Sequence, residues 1–143
     1  MRLSTRGRYG LRVMHYLAQH FNDKPIALSK ISNDLDLPLN YLEQLVRKLR
    51  EAGLVESVRG AQGGYRLTKK PDEIFIGEIL RVMEQYMSPT ECAEGDNVCS
   101  SEEHCVARIV WKKIQDSINS VVDTYTLQDM IDDELKDRIT GVC

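Results

Sequence analysis

The stretch 26–67 constrains the fold most, because two short amphipathic helices are followed directly by a glycine-rich hairpin. We expect Ser29 to open the first of these helices and residues 36–38 to form a tight turn. Pro38 fits the first turn of the second helix, where its missing N–H costs nothing, and Gly53 is a suitable C-terminal cap. Apolar residues recur at helical spacing along the second helix and predict its buried side. They are Leu42, Leu45, Val46 and Leu49.

The hairpin consists of two short strands with the sequences LVESV and YRLTK. They are joined by the six residues 59–64, three of which are glycines. Glycine tolerates a positive φ, so this stretch predicts a tight turn with a projecting tip. Helix, turn, helix and hairpin in this order predict a winged helix-turn-helix. We therefore expect a mainly α-helical protein with a small β-hairpin wing, and the alternative is a helical pair followed by a chance hairpin.

A first helix is expected near the N-terminus, with Ser4 as its N-terminal cap. Its apolar side is formed by Tyr9, Val13, Met14 and Leu17. Its N-terminal part is crowded by Arg2, Arg6, Arg8 and Arg12. Positive charge is unfavourable at the positive end of a helix dipole. The same charge is useful where a phosphate lies nearby.

Beyond residue 72 the sequence predicts helices on both sides of a polar loop. The segment FIGEILRVMEQY, residues 75–86, has a helical apolar side, residues 88–104 form the loop, and a long helix covers about residues 105–125. Thr126 caps a last short helix. The apolar side of residues 75–86 consists of Ile76, Ile79, Leu80 and Met83.

The long helix carries a broad apolar stripe, which must be covered by another surface. A second copy of the chain is the simplest cover and predicts a two-fold homodimer. We divide the chain accordingly into a winged helix-turn-helix head, residues 1–72, and a part for the cysteine loop and dimerisation, residues 73–143. The stripe consists of Val106, Ile109, Val110, Ile114, Ile118, Val121 and Val122.

The two halves of the chain carry opposite charge. Residues 1–70 contain 13 Lys/Arg and 6 Asp/Glu, whereas residues 71–143 contain 6 Lys/Arg and 16 Asp/Glu. A basic half without an acidic run indicates a polyanionic ligand, and the alternative is two solvated faces of unlike sign. No apolar run approaches the roughly 20 residues of a membrane span, and no signal-peptide core follows the first arginines. We therefore expect a cytoplasmic protein without a membrane partner.

The second helix of a helix-turn-helix enters the major groove of DNA, so its exposed polar side predicts base contacts. Asn40 and Gln44 can each pair with adenine, and Arg47 can reach guanine or phosphate. Glu43 can accept from the amino group of cytosine. Its alternative is an ion pair with Arg47, one turn away.

At the tip of the predicted wing, Arg59 beside Gly60 suits insertion into a narrow, A·T-rich minor groove. The alternative for Arg59 is a contact with phosphates alone. Tyr41, next to the base-reading positions, is expected to pack or to meet the DNA backbone. The expected partner is thus a double-stranded DNA operator.

Three of the four cysteines lie close together as Cys92, Cys99 and Cys105, with the spacing C-x6-C-x5-C, in a mostly polar loop. Little apolar sequence surrounds them, so core packing does not explain them. Thiolate sulfur is the preferred ligand of iron–sulfur clusters and of zinc. Zinc usually takes short C-x2-4-C pairs, which this loop lacks, so the longer gaps favour a cluster.

Together with these cysteines, the segments MRLSTRGRYG, NYLEQLVRKLREAGLVESVRGAQGGY and IGEILRVMEQ resemble the IscR-like iron–sulfur cluster regulators. NsrR-like and CymR-like regulators belong to the same superfamily, and the resemblance covers essentially the whole chain. It implies a transcriptional repressor or activator with a [2Fe–2S] cluster, supplied by the iron–sulfur cluster assembly machinery. It also implies a homodimer with long crossed helices. The DNA contacts that it implies are Asn40, Glu43, Gln44 and Arg59, with Tyr41 and the first-helix arginines near phosphate.

The fourth cluster ligand departs from the family's pattern. IscR-like proteins tend to have a histidine three residues after the third cysteine, and this chain has Arg108 there, which does not ligate iron. His104 is the nearest replacement, and Cys143 is a remote one. A residue of the partner subunit is a further alternative, as are the carboxylates Glu94, Asp96, Glu102 and Glu103.

Other functions of the same superfamily remain open. They are a nitric-oxide sensor with a [4Fe–4S] cluster, a thiol-redox regulator, and a cluster-free CymR-like regulator that docks on an enzyme. No pairing of a nucleophile with a base is indicated, so we predict no catalytic residue and no enzyme.

Overall fold

A computed structural model describes residues 2–90, 93 and 105–140. This part contains six α-helices and one two-stranded antiparallel sheet. In chain order they are α1 (Thr5–Gln19), α2 (Leu28–Leu35), α3 (Leu39–Glu51), β1 (Val55–Val58), β2 (Gly64–Leu67), α4 (Ile76–Met83), α5 (Val106–Val122) and α6 (Leu127–Thr140). The predicted mainly α-helical fold with a hairpin wing is confirmed. None of the helices in the described ranges has the length and apolar character that crossing a bilayer requires.

Helix α1 begins where the sequence predicts. The Ser4 hydroxyl accepts a hydrogen bond from the Gly7 N–H at 3.1 Å and so caps the helix. Val13, Met14 and Leu17 are buried, as their helical spacing predicts. The capped start fixes the backbone beside Arg2 and Arg6, whose side chains are both exposed.

The helix-turn-helix differs from the prediction only at its boundaries. Helix α2 begins at Leu28, with Ala27 as its N-cap, so Ser29 lies inside the helix rather than at its start. Asp36 ends α2 in the left-handed conformation, with φ of 52°. Pro38 is the N-cap of α3 rather than a residue of its first turn. The four apolar residues predicted for the buried side of α3 are each at most 1% exposed.

The wing is joined to the helix-turn-helix by backbone pairing. Strands β1 and β2 pair with Val55 opposite Leu67 and Val58 opposite Gly64. Ile26, which precedes α2, also pairs with Tyr65, through N···O distances of 3.0 and 2.8 Å. Gly64 allows this approach, because a Cβ there would lie 2.3 Å from the Ile26 backbone. The base of the wing is therefore held beside the start of α2.

The second half of the chain packs partly on the head. Helix α4 ends at Met83, three residues before the predicted end at Tyr86, because Glu84 is extended. The predicted apolar side of α4 is buried in the same cluster as the core residues of α1 and α3. Thr126 caps α6, since its hydroxyl accepts from the Asp129 N–H at 3.1 Å. The division of the chain at residues 72 and 73 stays a prediction.

Candidate nucleic-acid interface and cysteine loop

The exposed side of α3 and the base of the wing enclose an open groove of about 900 Å³. The four α3 residues predicted to read bases all line it: Asn40, Glu43, Gln44 and Arg47. The structure thus brings together on one concave surface the residues that helical spacing places on one face. The groove is also lined by Lys48, which helical spacing places at the border of that face. Its further lining residues, which the sequence did not single out, are Leu28, Arg50, Glu51 and Tyr65. Tyr65 could not be found from local spacing, because strand pairing places it there.

Glu43 is available for contact with a ligand. Although Arg47 lies one turn further along α3, no ion pair joins the two side chains in the structure of residues 2–90. The alternative in which Glu43 is occupied by Arg47 is therefore not the arrangement observed. The Asn40 side chain is held locally, since its Oδ1 accepts from the Tyr41 N–H at 2.9 Å.

Tyr41, a residue of α3, packs against α1. Its ring meets the Tyr9 ring edge to face, with 6.0 Å between centroids, and Arg12 lies over the Tyr9 ring at 5.4 Å. The Tyr41 hydroxyl is buried and has no hydrogen-bond partner among the described residues. This placement agrees with the packing interpretation, and contact of Tyr41 with DNA stays a prediction.

The tip of the wing presents Arg59 to solvent. Gly60, which follows it, has φ of 116°, a conformation that L side chains rarely adopt. No ion pair within the described part of the chain involves Arg59. Gln62 of the same turn accepts from Lys24 at 2.9 Å, which joins the wing to the segment after α1. The wing therefore carries an unneutralised cation at its end.

Of the predicted cluster ligands, the structure describes only Cys105. It is the N-cap of α5, and its thiol is exposed and forms no disulfide. Arg108 follows in the first turn of α5, where its N–H donates to the Cys105 carbonyl at 3.1 Å. Cys92, Cys99, His104 and Cys143 lie outside the described residues, as do the four loop carboxylates. The ligand set therefore stays a prediction, and the described residues alone contain no metal-binding group of three or more His, Cys, Asp or Glu.

Helix α5 leaves most of its apolar stripe bare. Val106 is 78% exposed, Ile109 61% and Val121 62%. Further along the helix, Ile118 and Val122 pack partly against the core. An apolar groove of about 580 Å³ runs between Val110 and Val122. Such a surface needs a cover in solution.

An ion pair joins α5 to α4. Arg81 donates to both carboxylate oxygens of Asp123, at 2.6 and 3.0 Å, and to the Asn119 amide oxygen at 3.3 Å. The hydrogen bond from Arg81 lowers the pKa of Asp123 below its usual value. Gly77 makes room for the pair, because a Cβ there would lie 2.4 Å from Asp123 Oδ1. The C-terminal end of α5 is thus held on α4 by charge as well as by packing.

Residues 3–133 match the family model described as "Rrf2: Iron-dependent Transcriptional regulator". The chain is 44% identical over 130 residues to the HTH-type transcriptional regulator CymR of Bacillus subtilis (strain 168), covering 91% of this chain and 89% of the relative. It is 39% identical over 137 residues to the regulator IscR of Aliivibrio salmonicida, covering 95% and 81% respectively.

Solved structures agree in fold. The structure of B. subtilis CymR, described as the global cysteine regulator, gives a TM-score of 0.76 at 42% identity and covers 91% of this chain and 95% of that one. T. potens IscR gives a TM-score of 0.74 at 42% identity and covers 94% and 88%. These relatives are transcriptional regulators and not enzymes, as the sequence predicts. With its helix-turn-helix, its wing and this similarity over nine-tenths of its length, the chain belongs to the Rrf2 family of transcriptional regulators.

Proposed function

We propose that the protein is a homodimeric regulator that binds a double-stranded DNA operator and holds an iron–sulfur cluster in its cysteine loop. Cluster occupancy changes which operators it binds, and through them the expression of genes for iron–sulfur cluster biogenesis. The observation that carries this proposal is the position of Cys105. Its exposed thiol directly precedes α5, the helix whose bare stripe calls for a second subunit. A cluster held by Cys105 therefore acts directly on the first turn of α5, the proposed dimerisation helix.

The DNA contacts of the proposal follow the groove and the wing. Asn40, Gln44 and Arg47 face bases of the major groove, and Glu43 accepts from a cytosine amino group. Glu43 also disfavours sites without a donor, because an unpaired carboxylate facing a polyanion is repelled. Arg59, with Gly60 behind it, enters the minor groove. Arg2 and Arg6 contact phosphates, and Tyr41 lies beside the DNA backbone.

The cluster of the proposal is [2Fe–2S], with [4Fe–4S] as the alternative, received from the iron–sulfur cluster assembly machinery. Cys92, Cys99 and Cys105 hold it, and His104 is the proposed fourth ligand. When bound, the cluster supplies a redox-active centre. Exposed thiol sulfur is a donor that suits it. Arg108 leaves the usual fourth position without a ligand, which makes the cluster easier to lose.

A cluster-free regulator is the second candidate. Arg108 favours it, since an arginine stands where IscR-like proteins tend to have a histidine. Similarity to CymR, described as a global cysteine regulator, also supports it. This candidate has two forms. In one, a thiol-redox regulator, the cysteines respond to oxidants directly; in the other, a CymR-like regulator, the cysteines take no part and the dimer docks on an enzyme. A nitric-oxide sensor with a [4Fe–4S] cluster differs from the first candidate in its absorption and Mössbauer spectra.

The two candidates are separated by anaerobic purification and reconstitution, followed by absorption spectroscopy and iron and sulfide analysis. The proposal expects visible absorption with about two iron and two sulfide per subunit for a [2Fe–2S] centre. Cys105→Ser should lower this occupancy, and Arg108→His should raise cluster retention. Colourless, iron-free protein after reconstitution would exclude the cluster and leave the cluster-free regulator. Equal operator affinity with and without the cluster would exclude switching.

A further inference from the structure

The N-terminus of α1 is held by a residue from a distant part of the sequence. The Ser4 N–H donates to Glu84 Oε1 at 2.8 Å, and the Ser4 hydroxyl donates to the same oxygen at 3.0 Å, across 80 residues of sequence. That hydroxyl in turn accepts from the Gly7 N–H at 3.1 Å. A chain of hydrogen bonds thus runs from the carboxylate of Glu84 into the first turn of α1.

This contact answers an electrostatic problem of α1. The helix has no acidic residue in its first turn, and Arg2 and Arg6 lie on either side of the cap. Negative charge stabilises a helix N-terminus, where unpaired N–H groups point outward. Within the described residues, Glu84 is the carboxylate that binds the Ser4 cap. It therefore supplies from the end of α4 the charge that α1 lacks.

Two glycines of α1 allow the close approach of the end of α4. A Cβ on Gly7 would lie 2.0 Å from Glu84 Oε1, and a Cβ on Gly10 would lie 2.6 Å from the Met83 side chain. Both glycines are buried. The close approach of α1 to the end of α4 is thus built around the Glu84 carboxylate.

We propose that Glu84 is a positioning residue for DNA binding, because its hold on Ser4 sets Arg2 and Arg6 where they meet phosphates. This inference rests on the proposed DNA binding by the α1 arginines. It assigns to an acidic residue, which by charge alone would repel DNA, a favourable effect on affinity. Whether removing Glu84 lowers or raises the affinity for DNA therefore separates positioning from simple electrostatics.

The test measures operator affinity by fluorescence anisotropy at several salt concentrations, for the full-length protein in one cluster state. Glu84→Ala should weaken binding about tenfold. The negative slope of log K against log salt should become shallower by about one for each phosphate that the arginines no longer reach. Glu78→Ala is the matched control. It removes the same charge from the other end of α4, where Glu78 accepts from the Phe75 N–H at 2.9 Å and pairs with Lys69 at 3.2 Å. Since this variant also frees the Lys69 cation, it should not weaken binding.

Gly7→Ala provides a second test without any change of charge. Alanine is the better helix former, yet its Cβ displaces the Glu84 carboxylate, so binding should again weaken. Circular dichroism confirms that each variant is folded at the assay temperature. If Glu84→Ala binds as tightly as the wild type or more tightly, the inference is wrong.

A double-mutant cycle tests whether Glu84 acts through the arginines. In an Arg2→Ala/Arg6→Ala background, Glu84→Ala should have little further effect on affinity. A full additional loss would show that Glu84 acts elsewhere and would overturn the inference. Absence of salt-dependent DNA binding by the wild type would instead refute the proposed function, so the two failures are distinct.

Discussion

The bare stripe of α5 gives the most direct quantitative prediction, for the variant Ile109→Ala. Replacing isoleucine by alanine removes three carbons, worth about 2.4 kcal/mol at about 0.8 kcal/mol for each carbon that becomes buried. Ile109 is 61% exposed in the single chain, so about 1.5 kcal/mol of this remains to be gained at an interface. Two-fold symmetry counts each substitution twice, which gives about 3 kcal/mol per dimer.

A loss of about 3 kcal/mol raises the dimer dissociation constant about 150-fold. Sedimentation equilibrium or size-exclusion chromatography over a dilution series measures this constant directly. Ile139→Ala is the control, because Ile139 is 84% exposed on α6 and lies outside the stripe. Its dimer dissociation constant should equal that of the wild type. If Ile109→Ala dimerises like the wild type, the stripe of α5 is not the interface. If Ile139→Ala weakens the dimer equally, the interface is not confined to this stripe.

Three further predictions concern DNA, sulfur and acid. Arg59→Ala should lower the affinity for sites with an A·T-rich minor groove by about 1–3 kcal/mol, measured by anisotropy on matched A·T and G·C duplexes. An equal small loss on both duplexes would reduce Arg59 to a phosphate contact. Cys105→Ser should remove most of the visible absorption after anaerobic reconstitution and leave the far-ultraviolet circular dichroism unchanged; retained colour would remove Cys105 from the ligands. Because Arg81 lowers the pKa of Asp123, the pair stabilises the fold above the carboxylate's unfolded pKa, and this contribution disappears as the pH falls through the lower folded value. The melting temperature of the wild type should therefore exceed that of Asp123→Asn at neutral pH, and the difference should shrink below about pH 4. A difference in melting temperature that is the same at both pH values would contradict a contribution from the ion pair.

Local sequence patterns determined the elements of the DNA-binding head. The spacing of Leu42, Leu45, Val46 and Leu49 predicted the buried side of α3, because a helix repeats every 3.6 residues whatever it packs against. The same spacing placed the polar residues of α3 on the opposite face, and they line one groove in the structure. The glycines of the wing predicted its turn through their own φ preferences. These features depend on neighbours within a few positions.

Contacts between distant parts of the chain were decided only by the tertiary structure. Glu84 binds Ser4 across 80 positions, and Ile26 pairs with Tyr65; no periodicity connects such residues. Helix α4 was predicted too long for the same reason, since Glu84 leaves the helix where it meets α1. Hydrophobic spacing predicted the stripe of α5, but only the packed structure shows which part stays bare. The buried side of a helix follows from its covalent geometry, which repeats along the local sequence. Which distant residues contact each other follows only from how the helices and strands pack.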